Sequence, residues 1–138
     1  MRLVQLIIPG LALLCAPLSA EPGLTLPSGA QAAPLPVIWD EDAAILRLRY
    51  IVPALDADSA MREEEAHDDM QWLCNTALAK FEAELGDLPA QGWTGAAVTL
   101  MDREVVFGTV DSSAFQLFEW FQFAQGSCTL DLDIYDED

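Results

Sequence analysis

Two cysteines far apart in the chain, Cys74 and Cys128, constrain its fold more than any other pair of residues. The 138-residue sequence holds three cysteines, and the third, Cys15, lies in a segment laid out for removal. Met1-Arg2 is a short positive start. Leu3 to Leu14 is an apolar run broken by Gln5 and by Pro9-Gly10, and Ala16-Pro17-Leu18-Ser19-Ala20 ends in small residues. This three-part layout reads as a secretory signal peptide over residues 1–20. The apolar run is too short to span a bilayer, which needs about 20 residues, so no membrane insertion is expected after its removal. Leu14 stands where a lipid-attachment site at Cys15 wants a small residue.

An exported chain left with two cysteines is expected to bond them. Cys74–Cys128 would close a loop of about 55 residues, and the chain-entropy model assigns such a loop roughly 4 kcal/mol. The alternative is a pair of reduced, buried thiols acting as small hydrophobes. A redox role lacks support, because there is no C-x-x-C and no basic neighbour to lower a thiol pKa.

Charge narrows the partners. The chain carries 23 acids against 6 lysines and arginines, for a net charge of −17. That balance argues against nucleic acid and anionic lipid surfaces, which need clustered cations. It suits cations, a basic partner or plain solubility. Disorder is not expected, since 52% of residues are hydrophobic and Trp39, Trp72, Trp93 and Trp120 are spread along the chain.

Residues 21–36 hold four of the eight prolines and read as a poorly ordered lead-in. Residues 37–138 read as one α+β domain ending in an acidic tail. Val37-Ile38-Trp39 is a short edge strand. From Ala44 to Val52 the residues alternate, with Leu46, Leu48, Tyr50 and Val52 on one face and Ile45, Arg47, Arg49 and Ile51 on the other. That period of two marks a half-buried strand. A helix capped by Asp58 or Ser59 is expected to run to Leu85 and stop at Gly86. Its apolar stripe is Met70, Leu73, Cys74, Ala77, Phe81 and Leu85.

Ala96 to Met101 alternates again. Asp102-Arg103 is expected to be a hairpin tip, with a return strand from Glu104 to Thr109. A second helix, capped by Asp111 or Ser112, is expected to bury Ala114, Phe115, Leu117, Phe118 and Phe121. After a turn at Gln125-Gly126, the last strand would point Cys128, Leu130, Leu132 and Ile134 inward. The order strand, helix, strand, strand, helix, strand is the split βαβ pattern of a ferredoxin-like sandwich, here with an extra N-terminal edge strand.

Chemistry-bearing clusters are sparse. Glu63, Glu64, Glu65, Asp68 and Asp69 crowd one helix, and their i, i+4 repulsion would be relieved by a basic partner or a divalent cation. Acids in early turns also favour the helix dipole without any ligand. His67 is the only histidine, so a zinc site with the usual ligand set is not expected. Asp131 and Asp133 open like a calcium loop, but Tyr135 stands at the next ligand position. Trp72 and Trp120 fit neither helical stripe well, which makes them candidate partner anchors. There is no G-x-S-x-G, no Gly-rich phosphate loop and no H-E-x-x-H, and nothing selects a catalytic carboxylate pair. No cofactor is expected.

Three stretches carry a resemblance: Asp69-Met70-x-x-Leu73-Cys74, Leu100-x-Asp102-Arg103-x-Val105-x-Phe107-Gly108, and Phe118-Glu119-x-Phe121 with Gly126-x-Cys128. Together they resemble a family of small exported alphaproteobacterial proteins of unknown function. The resemblance implies a Gram-negative periplasmic setting and the two-cysteine pattern, and it implies no activity. The leading expectation is a periplasmic, non-enzymatic interaction module, an inhibitor or accessory subunit, whose acidic surface meets a basic protein. The alternatives are a weak divalent-cation binder and a small hydrolase using paired carboxylates.

Overall fold

Alternation between apolar and polar residues builds most of this molecule. The computed structural model describes residues 23–55 and 63–135. The expected signal segment, the helix caps at Asp58 and Ser59, and residues 136–138 lie outside them. Strand β4 (Ile45–Ile51) is the centre of a seven-stranded mixed sheet. Its even residues Leu46, Leu48 and Tyr50 are buried, as the alternation requires. Helix α1 (Glu63–Leu85) follows, and β5 (Gly95–Met101) returns parallel to β4, with Leu48 opposite Val98. A parallel pair needs such a crossover, because a tight turn cannot join its ends.

The far side of β4 meets an interrupted antiparallel edge. Strand β2 (Gln31–Pro34) pairs with its C-terminal half, and β3 (Ile38–Asp40) with its N-terminal half. Pro34 and Pro36 sit at the break, where missing N–H groups remove ladder donors. Strand β1 (Leu24–Thr25) pairs with β2. The expected lead-in over 21–36 therefore carries two short strands, and its Leu26 and Ala32 are buried in the core.

Beyond β5 lies the main departure from expectation. There is no return strand at Glu104–Thr109, and no helix lies between β5 and the 125–126 turn. Residues 102–115 form a long loop, and β6 (Gln116–Ala124) is a nine-residue strand antiparallel to β5. A two-residue turn at Gln125 (φ 55°) and Gly126 (φ 77°) leads to β7 (Ser127–Leu130). Positive φ at both turn positions matches the twist of a tight hairpin. The ferredoxin-like sandwich is thus replaced by a mostly-β architecture with one α-helix among the described residues. The physical reason is that Phe115, Phe118 and Phe121 fit helical spacing, but Leu117, Phe121 and Phe123 also alternate along a strand. Aromatic residues favour the pleated surface, and seven cross-strand pairs with β5 decide the matter.

Gly95 makes that pairing possible. A Cβ at this position would fall on the Phe121 carbonyl, so only glycine lets β6 approach here.

Helix α1 lies on the face carrying Leu46, Leu48, Val98, Leu100 and Phe121, burying Ala66, Met70, Leu73, Cys74 and Leu78. Gly86 ends it with φ 85°, donating its N–H to the Glu82 carbonyl. The expected stripe needs one correction at each of two positions: its member Leu85 is exposed, and Leu78, left out of it, is buried. The stripe drifts because 3.6 residues per turn carries Leu78, not Leu85, over the sheet. Cys74 and Cys128 are disulfide-bonded, tying α1 to β7 across 54 residues. Asn75 Oδ1 accepts the Cys128 N–H at 2.8 Å, and Gln71 Nε2 donates to its carbonyl. Helical side chains thus satisfy the backbone of an edge strand that has no further neighbour among the described strands. After Leu130 the chain turns into a short 3₁₀ segment (Leu132–Tyr135), which leaves Leu132 exposed rather than inward.

Candidate functional site

The acidic run of α1 divides by its helical angle. Glu64, Glu65 and Asp68 are exposed, and Glu63 opens the helix. Asp69 is fully buried: its carboxylate accepts the Ser28 N–H at 2.9 Å and the Ser28 hydroxyl at 2.6 Å. It fastens the β1–β2 turn onto the helix and is absent from the acidic surface. Such charge-assisted bonds are short and strong, as a buried carboxylate requires.

His67 also turns inward. Its Nδ1 lies 2.8 Å from Glu119 Oε2 on β6, and its ring stacks on Phe121 with centroids 6.4 Å apart. Sequence reasoning missed this pair by placing Glu119 on a helix. The signal was present, since Glu119 falls at an inward position between Leu117 and Phe121, where a charge demands a partner. Trp72 is half-buried against the core rather than displayed. Among the described residues, no group of three or more His, Cys, Asp and Glu side chains is arranged to hold a metal ion.

The other face of the sheet is different. Here β4 presents Arg47 and Arg49, β5 presents Ala97 and Thr99, and β6 presents Gln116, Phe118 and Trp120. The 102–115 loop folds back over part of it. Arg47 is clamped from three sides: Asp40 at 2.9 Å, the Phe107 ring 5.2 Å from its guanidinium carbon, and the Trp120 ring at 5.6 Å. Trp120, the outlier of the expected helix, belongs to this face. Arg49 lies 5.7 Å from the Phe107 centroid and donates to the Val105 carbonyl. Stacking under an aromatic ring fixes each guanidinium at little cost in hydration.

Carboxylates brace the same region. The Ala43 N–H and then Arg47 hold the Asp40 carboxyl below its ordinary range. Arg103 does the same for Asp102, which also accepts the Phe115 N–H at 3.0 Å and so closes the long loop at its base. Asp111 is lowered by the Ser113 hydroxyl and N–H.

What remains on this face is an apolar rim. Phe118 is 60% exposed, Phe107 50% and Val106 68%, around a cleft of about 170 Å³. Phe118 joins Val106, Phe107 and the arginines of β4 on this face only because β6 is a strand. The cleft offers contact area and two fixed cations. It does not offer a nucleophile beside a base.

No helix among the described residues is long and apolar enough to cross a membrane. No curated protein and no solved structure matches the chain. A family model does match, over residues 11–132, nearly the whole length. The chain therefore belongs to the family of unknown function DUF6497.

Proposed function

We propose that this protein is a non-enzymatic binding module whose contact surface is the open face of the sheet. One observation carries the reading: Phe107, Phe118 and Val106 stand exposed around Arg47, Arg49 and Trp120. Aromatic residues and arginines are the types that dominate binding energy at protein interfaces. The chain's charge of −17 gives a basic partner a favourable long-range field. Glu64, Glu65 and Asp68 contribute to that field without anchoring the complex. Charge of this kind raises the association rate more than the final affinity.

The setting proposed is the periplasm of a Gram-negative cell, with residues 1–20 as the export signal. A disulfide between α1 and β7 suits an oxidising compartment. The role is that of an accessory subunit or inhibitor.

The test is affinity capture from periplasmic extract at low and high salt, with the wild type and two variants. Phe118→Asp is expected to lose at least 90% of the captured partner, because it puts a charge in the apolar rim. The triple variant Glu64→Gln, Glu65→Gln, Asp68→Asn is expected to keep the partner and lose most of the salt sensitivity. If Phe118→Asp captures the same partner as the wild type, the open face is not the contact surface.

A further inference from the structure

Away from the open face, a second cavity opens between the helix and the broken edge of the sheet. It has a volume of about 390 Å³, within the range of sites that take small organic ligands, about 300–1,000 Å³. Buried Leu48, Tyr50 and Leu73 line its inner end, and Leu24, Val37 and Phe81 its walls. Its existence follows from the sequence. Thr76 and Ala77 put short side chains at the middle of α1, and the break around Pro34 and Pro36 parts β2 from β3 opposite them. Neither side fills the gap. Phe81 is fixed in the wall by edge-on contact with Trp39, centroids 5.2 Å apart.

Lys80 also lines this cavity, one helical turn beyond Thr76. It is the chain's only lysine, and it is exposed. Among the described residues no carboxylate lies within ion-pair distance of it, although the chain holds 23 acids. A lysine lays its methylene stem along apolar surface and keeps its ammonium in water. Of the two basic residues that line the cavity, Arg49 carries its guanidinium to the Val105 carbonyl and the Phe107 ring on the open face, so the apolar interior meets one free ammonium, that of Lys80.

We infer that this cavity binds a single-chain anionic amphiphile, a fatty-acid carboxylate, with its chain between α1 and the β2–β3 break and its head group at Lys80. The apolar chain supplies most of the affinity and the ammonium selects the head group. An alcohol of the same length lacks the charge, and a quaternary ammonium amphiphile repels it. The inference is independent of the binding role given to the open face, which lies on the other side of the sheet.

Calorimetric titration of the purified, oxidised protein with saturated carboxylates from octanoate to tetradecanoate, below their micelle concentrations, tests it. Affinity is expected to rise roughly fourfold per added methylene and then level off when the cavity is full. Lys80→Gln is expected to weaken dodecanoate by about two- to fivefold, the range of an exposed ion pair, and to leave dodecanol unchanged. Ala77→Leu fills the cavity from the helix and is expected to weaken both ligands at least tenfold, with the melting temperature checked to show that the variant is folded. Dodecyltrimethylammonium is expected to bind more weakly than dodecanoate. The inference is overturned if dodecanoate shows no saturable binding. It is equally overturned if Ala77→Leu binds like the wild type, or if Lys80→Gln weakens dodecanol as much as dodecanoate.

Discussion

The two faces of the sheet are made by alternate residues of the same strands, yet they are held by different physics. On the helix side, Leu48, Val98 and Phe121 sit in a dry core closed by α1 and by the Cys74–Cys128 bond. On the open side, Arg47, Thr99 and Trp120 are reached by solvent, and order comes from a chain of local contacts among Asp40, Arg47, Phe107 and Trp120. Burial gives the first face most of the fold's stability. The second keeps Phe107 and Phe118 exposed.

That contrast breaks most visibly at the disulfide. Replacing both Cys74 and Cys128 by alanine is expected to cost about 4 kcal/mol, from a loop of 54 residues no longer closed in the unfolded chain. Urea unfolding of the variant against the wild type measures it, and a loss under 1 kcal/mol would mean that the helix side is held by packing alone. Next in size is Asp69→Ala, which removes the buried carboxylate that accepts the Ser28 N–H and hydroxyl. Its expected cost is about 2 kcal/mol, seen in the same unfolding experiment.

The open face should respond to acid rather than to truncation. Asp40 and Asp102 have carboxyls held below their ordinary value of 3.8 in the folded chain. At low pH the unfolded state then binds more protons than the folded one, so stability rises with pH there. Their contribution is complete above the ordinary carboxylate range and is lost as pH falls through the lowered folded values. Asp40→Asn is expected to flatten the stability profile between about pH 2 and 4, and an unchanged slope would remove the Asp40–Arg47 contact from the account.

The smallest effect sharpens the comparison most. Phe118→Ala is expected to change stability by less than about 0.5 kcal/mol, because its ring is largely in water. A cost above 1.5 kcal/mol in thermal unfolding would make the open face a second core.

Much of the helix side was legible in the sequence. The alternation from Ala44 to Val52 marked β4 and assigned each residue to its correct face. Gly86 marked the helix end, Gln125-Gly126 the hairpin turn, and the two cysteines their own pairing. The stretch from Asp102 to Phe123 was misread, because its aromatic residues satisfy two periods at once. Phe115, Phe118 and Phe121 repeat every three residues, while Leu117, Phe121 and Phe123 keep to one parity. Only the partner strand, with Gly95 clearing the way for Phe121, tells the two apart. The open face could not be foreseen for the same reason, since it exists only once β6 is a strand.

Local signals in the sequence were enough for the parity of β4, the end of α1 at Gly86 and the positive φ at Gly126. The sequence also sets the net charge of −17. The tertiary structure alone decided which acids face water, that His67 finds Glu119, and that Arg47, Phe107 and Trp120 meet. The physical reason is range. Alternation and capping act over a few residues of one chain segment, whereas burial and cation–aromatic contacts join segments dozens of residues apart, and their energies are settled only after the strands have paired.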